Sequence, residues 1–205
     1  MSRSHEPIRL EARHFKRASA VMGRAFQDDP AWQYLIPEDA RRLRLMPTFF
    51  SIVVRYGLRY GEVYTTPALE GVACWLPPGN TTPLFSRLAR IGIRDARLGL
   101  ELGWAGFRRY MVMEAYVDAA HKQCLPGQHW YLWAIGVDPA CQGQGIGGML
   151  MQPVLARADA DGLPCYLETS KETNVPFYRK YGFTIVSEGV VPKSDLRVWA
   201  MLRKP

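Results

Sequence analysis

A glycine-rich segment at residues 142–148, Gln-Gly-Gln-Gly-Ile-Gly-Gly, constrains this chain more than any other part of its sequence. It follows a nearly continuous apolar run and precedes an amphipathic run typical of a helix. Glycines carry no Cβ, so the backbone N–H groups of such a loop can converge on an anion, and the N-terminus of the following helix attracts negative charge. The segment therefore predicts a binding loop for the phosphates of a cofactor.

Two common phosphate loops match this segment poorly. Gly143, Gly145 and Gly148 satisfy the dinucleotide pattern G-x-G-x-x-G, and Glu168 follows twenty residues later. However, residues 138–142 separate the apolar run from the first glycine, and only 57 residues follow Gly148, too few for the rest of a doubly wound sheet. A nucleotide triphosphate loop needs Gly-Lys-Ser/Thr, and no lysine occurs between positions 122 and 171.

A third pattern fits the whole region. Its parts are Val137-Asp138-Pro139, Gln142-x-x-Gly145-x-Gly147, the strand-like segment at residues 166–168, and Asn174-x-x-x-Tyr178-x-x-x-Gly182-Phe183. In this order they resemble the GNAT superfamily of acetyl-CoA-dependent N-acyltransferases, over about residues 130–183. Residues 167–170, 174–178 and 198–205 are most similar to puromycin N-acetyltransferase and its relatives. The resemblance implies binding of acetyl-CoA without metal.

Fold class follows from the same resemblance together with chain length. With 205 residues and 48% hydrophobic content, one α/β domain with a substantial core is expected over residues 1–205. The resemblance implies a mixed, mostly antiparallel central sheet, splayed at two parallel central strands and flanked by helices. Residues 130–183 form its acetyl-CoA-binding core, and the helical pattern at residues 81–125 is interpreted as an insertion.

Hydrophobic periodicity and turn residues predict the individual elements. Strands are expected at residues 8–10, 62–66, 70–76, 130–137, 165–169, 183–187 and 196–202, and helices at 12–26, 37–60, after the glycine loop and near 174–182. Pro47 is expected to kink or restart its helix, and Pro153 to kink the helix after the loop.

The resemblance also implies which residues bind the cofactor. The strand edge at Ile135 and Val137 pairs with the pantetheine amides, as a splayed strand exposes unpaired N–H and C=O groups. The loop residues bind the pyrophosphate: Gln142, Gly143, Gln144, Gly145, Ile146, Gly147 and Gly148. Phe177 and Tyr178 complete the site, and Asn174 either holds the pantetheine or caps the short helix.

Acetyl transfer to an amine needs an acid that protonates the leaving thiolate and a base that deprotonates the amine. Tyr178 occupies the position that the family uses for the acid, although its spacing alone would also suit a core aromatic beside Phe177 and Tyr181. Glu168 is the first candidate for the base, and a structural carboxylate is the alternative.

His129, Glu114 and the two cysteines Cys141 and Cys165 are further residues that could take part in the chemistry. His129 lies about 20 Å from Ile135 if six strand residues separate them, and is expected to be a satisfied structural histidine. Glu114, in the insertion, is a second possible base or substrate carboxylate. A covalent route through Cys141 or Cys165 is disfavoured because neither has a neighbouring histidine.

Composition excludes several other classes. The net charge of +7 is scattered and lacks the basic stripe of a nucleic-acid binder. Four distant cysteines indicate neither a zinc site nor a disulfide framework, which favours a cytoplasmic location. We expect no membrane span.

The sequence thus predicts direct acetyl transfer to the primary amine of a small molecule. Large aromatics at residues 26–35 and in the insertion would suit an aromatic amine such as puromycin, since no cluster of acids is recognisable for a polyamine. A protein or peptide amine acetyltransferase and a non-catalytic acyl-CoA-binding regulatory module are the alternatives. A homodimer through the terminal strands is also expected.

Overall fold

The computed structural model describes residues 6–81, 96–125 and 127–205, with side chains of the second range described from residue 101. Short 3-10 turns lie at Ala12–His14 and Pro139–Cys141. The strands are β1 (Ile8–Arg9), β2 (Glu62–Thr65), β3 (Gly71–Leu76), β4 (Trp130–Val137), β5 (Cys165–Thr169), β6 (Thr184–Val190) and β7 (Arg197–Arg203). The helices are α1 (Phe15–Ala25), α2 (Pro30–Leu35), α3 (Asp39–Tyr60), α4 (Ala96–Cys124), α5 (Ile146–Ala160) and α6 (Asn174–Arg179).

The seven strands form one sheet in the order β1-β2-β3-β4-β5-β7-β6. All neighbours pair antiparallel except β4 and β5, which are parallel. The predicted fold class, a mixed and mostly antiparallel sheet flanked by helices, is confirmed.

The sheet opens between its two parallel strands. β4 and β5 pair only at Trp130 with Cys165 and at Tyr131 with Tyr166, although β4 continues to Val137 and β5 to Thr169. Beyond these two pairs the strands diverge, so their carboxyl-terminal halves leave backbone groups without a strand partner on the side of the gap. We call this gap the β4–β5 opening.

Helices cover both faces of the sheet, as the alternation along β3 shows. Val72 and Cys74 pack in a core with residues of α1 and α3, whereas Ala73 and Trp75 pack in a second core with residues of α5. Because successive strand side chains point to opposite faces, these two cores lie on opposite sides of the sheet. The β4–β5 opening therefore lies between two differently built layers.

Pro47 and Pro153 both lie inside continuous helices. α3 continues through Pro47 without restarting, and Gly23 of α1 packs there, since a Cβ on Gly23 would lie 3.0 Å from the Pro47 ring. α5 likewise includes Pro153 within one helix. Neighbouring packing can compensate for the missing N–H of a proline.

The predicted insertion falls partly outside the described residues, because positions 82–95 are not among them. Its second half is α4, in which Gly103 has φ 63° and ψ 170°, so two helical parts meet there. α4 packs against α2, α3, β6 and β7. In the described ranges, no helix is both long and apolar enough to cross a membrane.

Candidate functional site

The glycine loop ends in a cap that leaves helix N–H groups available. Gly145 is the N-cap of α5 in the left-handed region, with φ 78° and ψ 0°, and Gly143 also has φ 78°. A Cβ added at either glycine would meet no atom within 4 Å. The first N–H groups of a helix have no intrahelical acceptor and carry partial positive charge. The loop is thus an open concavity lined by donors, suited to an anion.

The other two glycines of the loop serve packing. A Cβ on Gly148 would lie 1.7 Å from the hydroxyl of Tyr181, and one on Gly147 would lie 3.2 Å from the Phe177 ring. Both aromatic rings come from the α6 region, which therefore approaches the first turn of α5 closely. The sequence predicted phosphate contact for all four glycines, which stays a prediction, and the structure adds a steric requirement at these two.

An ion pair fixes the segment that leads into the loop. Asp138 accepts hydrogen bonds from Arg24 Nε (3.0 Å) and from the N–H of Ala140 (3.3 Å). The bond from Arg24 lowers the pKa of Asp138. This anchoring explains why a Val-Asp-Pro sequence precedes the loop: aspartate caps the 3-10 turn and ties it to α1.

The edge of β4 at the β4–β5 opening has backbone N–H and C=O groups that do not pair with β3. The N–H of Asp138 donates to Glu70 O at 2.8 Å, which makes this a hydrogen-bonded pair with the residue preceding β3. By alternation in the antiparallel ladder, Ile135 and Val137 direct their backbone groups away from β3, toward the opening. Gln142 Nε2 already donates to the carbonyl of Val137 at 3.2 Å.

Tyr178 lies beside the opening on the face covered by α5. It is buried in the same core as Leu167, with Ile135 and Val137 packed against that core. Burial raises the pKa of Tyr178, and the nearby carboxylate of Asp29 raises it further. The phenol therefore keeps its proton at neutral pH, as a proton donor must.

Asp29 was not among the candidate site residues predicted from the sequence. Its carboxylate accepts from the N–H of Ala31 and the hydroxyl of Ser170, both at 3.0 Å, which joins the segment before α2 to the end of β5. Burial raises its pKa despite these bonds. Its influence on Tyr178 could not be read from sequence, because about 150 residues separate them.

Glu168 lies on the opposite face. Its neighbour two positions earlier, Tyr166, packs with Tyr131 in a separate core, and side chains at i and i+2 share a face of a strand. Burial raises the pKa of Glu168 to about 8, the charge of Glu114 adds to this, and the phenols of Tyr131 and Tyr166 oppose it. Its Oε1 is buried and has no hydrogen-bond partner among the described residues.

Two histidines stand behind this carboxylate. His121 of α4 lies with Nδ1 3.9 Å from Glu168 Oε1, and its ring stacks on Tyr166 at a centroid distance of 4.4 Å. His121 Nε2 and His129 Nε2 are 2.7 Å apart. His129 is a satisfied buried histidine, as expected, but His121 had not been recognised from sequence because its partners lie on other elements.

Burial by the surrounding protein raises the pKa of Glu114, and the charge of Asp118 raises it further. Glu114 influences both Glu168 and Tyr131 electrostatically. The two candidate bases from the sequence, Glu114 on α4 and Glu168 on β5, therefore interact electrostatically.

Asn174 does not cap the short helix, contrary to one of the two predicted roles. α6 begins at Asn174, and Thr173 is the N-cap residue without a side-chain bond. The Asn174 amide instead donates to Thr169 Oγ1 at 3.1 Å, at the end of β5.

Within the described part of the chain, no group of three or more His, Cys, Asp or Glu residues could hold a metal ion.

Comparison with known proteins agrees with this geometry. The model of the acetyltransferase (GNAT) family matches residues 102–183. An uncharacterized N-acetyltransferase of Schizosaccharomyces pombe is 28% identical over 96% of this chain and 82% of its own length.

Solved structures share the fold. A Corynebacterium glutamicum protein described as histone acetyltransferase HPA2 and related acetyltransferase superposes with a TM-score of 0.69 at 22% identity, covering 98% of this chain and 96% of that chain. The polyamine N-acetyltransferase of Drosophila melanogaster gives a TM-score of 0.62 at 13% identity, covering 97% and 99%.

Fold, family model and relative together support a GNAT superfamily acetyltransferase. The chain is an enzyme of the acyltransferase type, and its fold implies use of an acyl-CoA. The relationship to puromycin N-acetyltransferase is not confirmed.

Proposed function

We propose that this enzyme transfers an acetyl group from acetyl-CoA directly to the primary amine of a small molecule. The observation that carries the proposal is the β4–β5 opening, which has the donor-lined loop and Tyr178 on one side and Glu168 on the other. A thioester and an amine can meet in such an opening without a covalent enzyme intermediate.

The cofactor side is formed by the loop and the free strand edge. The open N–H groups around Gly143 and Gly145 bind the pyrophosphate, and the backbone of Ile135 and Val137 pairs with the pantetheine amides. Phe177 packs beside the loop, and Asn174 orients the end of β5 toward the pantetheine. When bound, acetyl-CoA supplies the activated acetyl thioester.

Tyr178 acts as the general acid. Its raised pKa keeps the phenol protonated, so it can donate to the thiolate sulfur as the C–S bond breaks. Because the side chain of Tyr178 is buried in the core, its movement is limited, which favours proton transfer in one geometry.

Glu168 acts as the general base. Its pKa near 8 is close to the operating pH that makes a carboxylate both sufficiently ionised and sufficiently basic. The N–H bond of the amine breaks, the proton forms an O–H bond on Glu168, and the nitrogen lone pair attacks the acetyl carbonyl.

The acceptor is a small cationic amine. The negative charge of Glu114 acts on Glu168, and Tyr131 responds to both carboxylates. A positively charged amine would be attracted to this side of the opening. The Drosophila melanogaster protein that shares this fold is a polyamine N-acetyltransferase, which is consistent with this choice. Puromycin, also an amine, remains one candidate acceptor.

The test is acetyl-CoA-dependent thiol release across a panel of puromycin, polyamines, aminoglycosides, arylamines and short peptides. Enzyme-only blanks correct for the four free cysteines. We expect turnover with small cationic amines and an N-acetylated product of matching mass. Turnover only with peptides would favour a protein acetyltransferase, and acetyl-CoA binding without any turnover would favour a regulatory module.

We further propose a cytoplasmic location and a homodimer. All four cysteines are free thiols, which suits a reducing compartment. β6 lies at the edge of the sheet with Val186 and Val190 exposed, and an exposed edge strand can pair with a second chain.

A further inference from the structure

We propose that His121, held in one tautomer by His129, is the positioning residue of the base: it accepts a hydrogen bond from Glu168 after that carboxyl has taken a proton from the amine. The inference rests on the proposed function of Glu168. It adds two residues to the site, one from α4 and one from the segment before β4.

Three interatomic distances connect Gly127, His129, His121 and Glu168 in this order. His129 Nδ1 lies 2.7 Å from the carbonyl oxygen of Gly127, His129 Nε2 lies 2.7 Å from His121 Nε2, and His121 Nδ1 lies 3.9 Å from Glu168 Oε1. Both rings are buried, with 8% of His121 and 3% of His129 exposed. Water therefore has little access to the nitrogen atoms that face each other.

These contacts determine which ring nitrogen of His129 and of His121 carries the proton. A carbonyl oxygen only accepts, so His129 must carry its proton on Nδ1 and leave Nε2 as an acceptor. His121 then donates from Nε2, which leaves its Nδ1 as a bare acceptor directed at Glu168. A bare nitrogen repels the carboxylate and attracts the carboxylic acid, so this arrangement responds to the proton that catalysis places on Glu168.

Both histidines remain neutral in this arrangement. Burial lowers the pKa of His121 to about 4, and His129 lowers it further; Asp118 has the opposite effect, and Lys122 adds a small decrease. Burial also lowers the pKa of His129, against the bond to Gly127. The other titratable groups near the carboxyl are Tyr131, Tyr166, Glu114 and Cys124. Since Glu168 is more basic than His121, the proton stays on Glu168.

The separation of 3.9 Å between His121 Nδ1 and Glu168 Oε1 exceeds a hydrogen bond. Catalytic hydrogen bonds are often long in the free enzyme and tighten in the complex. Closing the gap by about 1 Å requires only a small movement of the carboxyl. The O–H of Glu168 then points away from the amine, which hinders return of the proton.

Matched variants distinguish an acceptor from a packing role. His121→Phe keeps a ring that can stack on Tyr166 but removes the acceptor, whereas His121→Asn provides an amide oxygen near the position of Nδ1. We expect kcat to fall roughly 10- to 100-fold in the Phe variant, with KM values for both substrates little changed, and to recover partly in the Asn variant. If Phe equals or exceeds Asn, histidine serves packing and the proposal is overturned.

A second pair tests the tautomer control. His129→Gln retains an acceptor near Nε2, and His129→Phe does not, so we expect kcat to be higher in the Gln variant. Nitrogen-15 NMR of the unliganded wild-type enzyme should show His121 protonated on Nε2. Protonation of His121 on Nδ1 would overturn the proposal, and this measurement does not depend on substrate turnover. If instead the tautomers are as expected but no amine is acetylated, the proposed function fails while the arrangement stands.

Discussion

Tyr178 and Glu168 lie on opposite faces of the sheet beside the same opening. Tyr178 packs with Leu167, and Glu168 projects with Tyr166 toward the other side. Leu167 and Glu168, which are adjacent on β5, therefore face opposite sides of the sheet. Tyr178 and Glu168 thus cannot exchange their catalytic roles. A thioester reaching Tyr178 and an amine reaching Glu168 would approach each other from opposite sides, which gives the direct transfer proposed above its geometry.

Replacing Tyr178 tests the acid. Tyr178→Phe preserves the ring that fills the core and removes only the hydroxyl, so kcat should fall roughly 100-fold while acetyl-CoA affinity stays nearly constant. Tyr181→Phe is the matched control, because that phenol lies against Gly148 and the ring is only partly buried at the edge of the core that holds Tyr178. Steady-state kinetics and calorimetric binding measure the two effects. Equal turnover in the Tyr178 variant and wild type would remove it from the mechanism.

Replacing Gly145 tests the phosphate loop. Gly145 and Gly162 both have positive φ, 78° and 65°, and a Cβ at either meets nothing within 4 Å. A valine at either position carries a similar backbone cost of about 1–2 kcal/mol, but only Gly145 caps α5 at the loop. We expect Gly145→Val to weaken acetyl-CoA binding at least about tenfold relative to Gly162→Val, since its side chain obstructs the N–H groups. Indistinguishable affinities would place the cofactor elsewhere.

The pH dependence of kcat/KM should contain a limb near the pKa of Glu168, about 8, with activity rising as the carboxyl ionises. Glu114→Gln removes a charge that raises this pKa, so the limb should move to lower pH. Tyr131→Phe removes a phenol that lowers it, so the limb should move to higher pH. Shifts of roughly half a unit or more in opposite directions are expected. Two shifts of the same sign would mean that the limb reports another group.

Glu168 should also make stability depend on pH. Its pKa is raised in the folded protein from an ordinary 4.5 to about 8, so the folded state binds the proton more tightly. The resulting stabilisation is present below about pH 4.5 and is lost as the pH rises through about 8. Glu168→Gln should therefore gain Tm relative to wild type as the pH rises, by a few degrees or more.

The exposed Glu172→Gln variant is the control for the stability measurement. Its Tm should follow that of wild type at every pH in thermal scans. A Tm difference between Glu168→Gln and wild type that does not change with pH would contradict a buried, proton-binding carboxyl.

Sequence reasoning predicted the elements around the candidate site because their signals are local. The apolar run of β4, the glycine loop and the strand β5 were all predicted, with β4 and β5 at the observed bounds. Residues whose roles depend on distant partners were missed. His121 acquires its position only when α4 packs against β5, and Asp29 only when its carboxylate meets Ser170.

Two local details differ from one of the alternatives that the sequence offered. Asn174 was expected either to hold the pantetheine or to cap the short helix, but the helix begins one residue earlier than a cap at that position requires. A kink or a restart was expected at Pro47; α3 does not restart there, and Gly23 of α1 packs against the proline ring. Local propensity alone could not anticipate this contact between two helices.

The most direct test of the account follows the acetyl group through a single turnover. Enzyme is mixed with acetyl-CoA labelled in the acetyl group and with the amine panel, quenched rapidly, and separated into protein and small molecules. We predict that label appears in an N-acetylated small amine and never in the protein. Label on the protein would contradict direct transfer, and label remaining in bound acetyl-CoA with every amine would contradict an acetyltransferase of small amines.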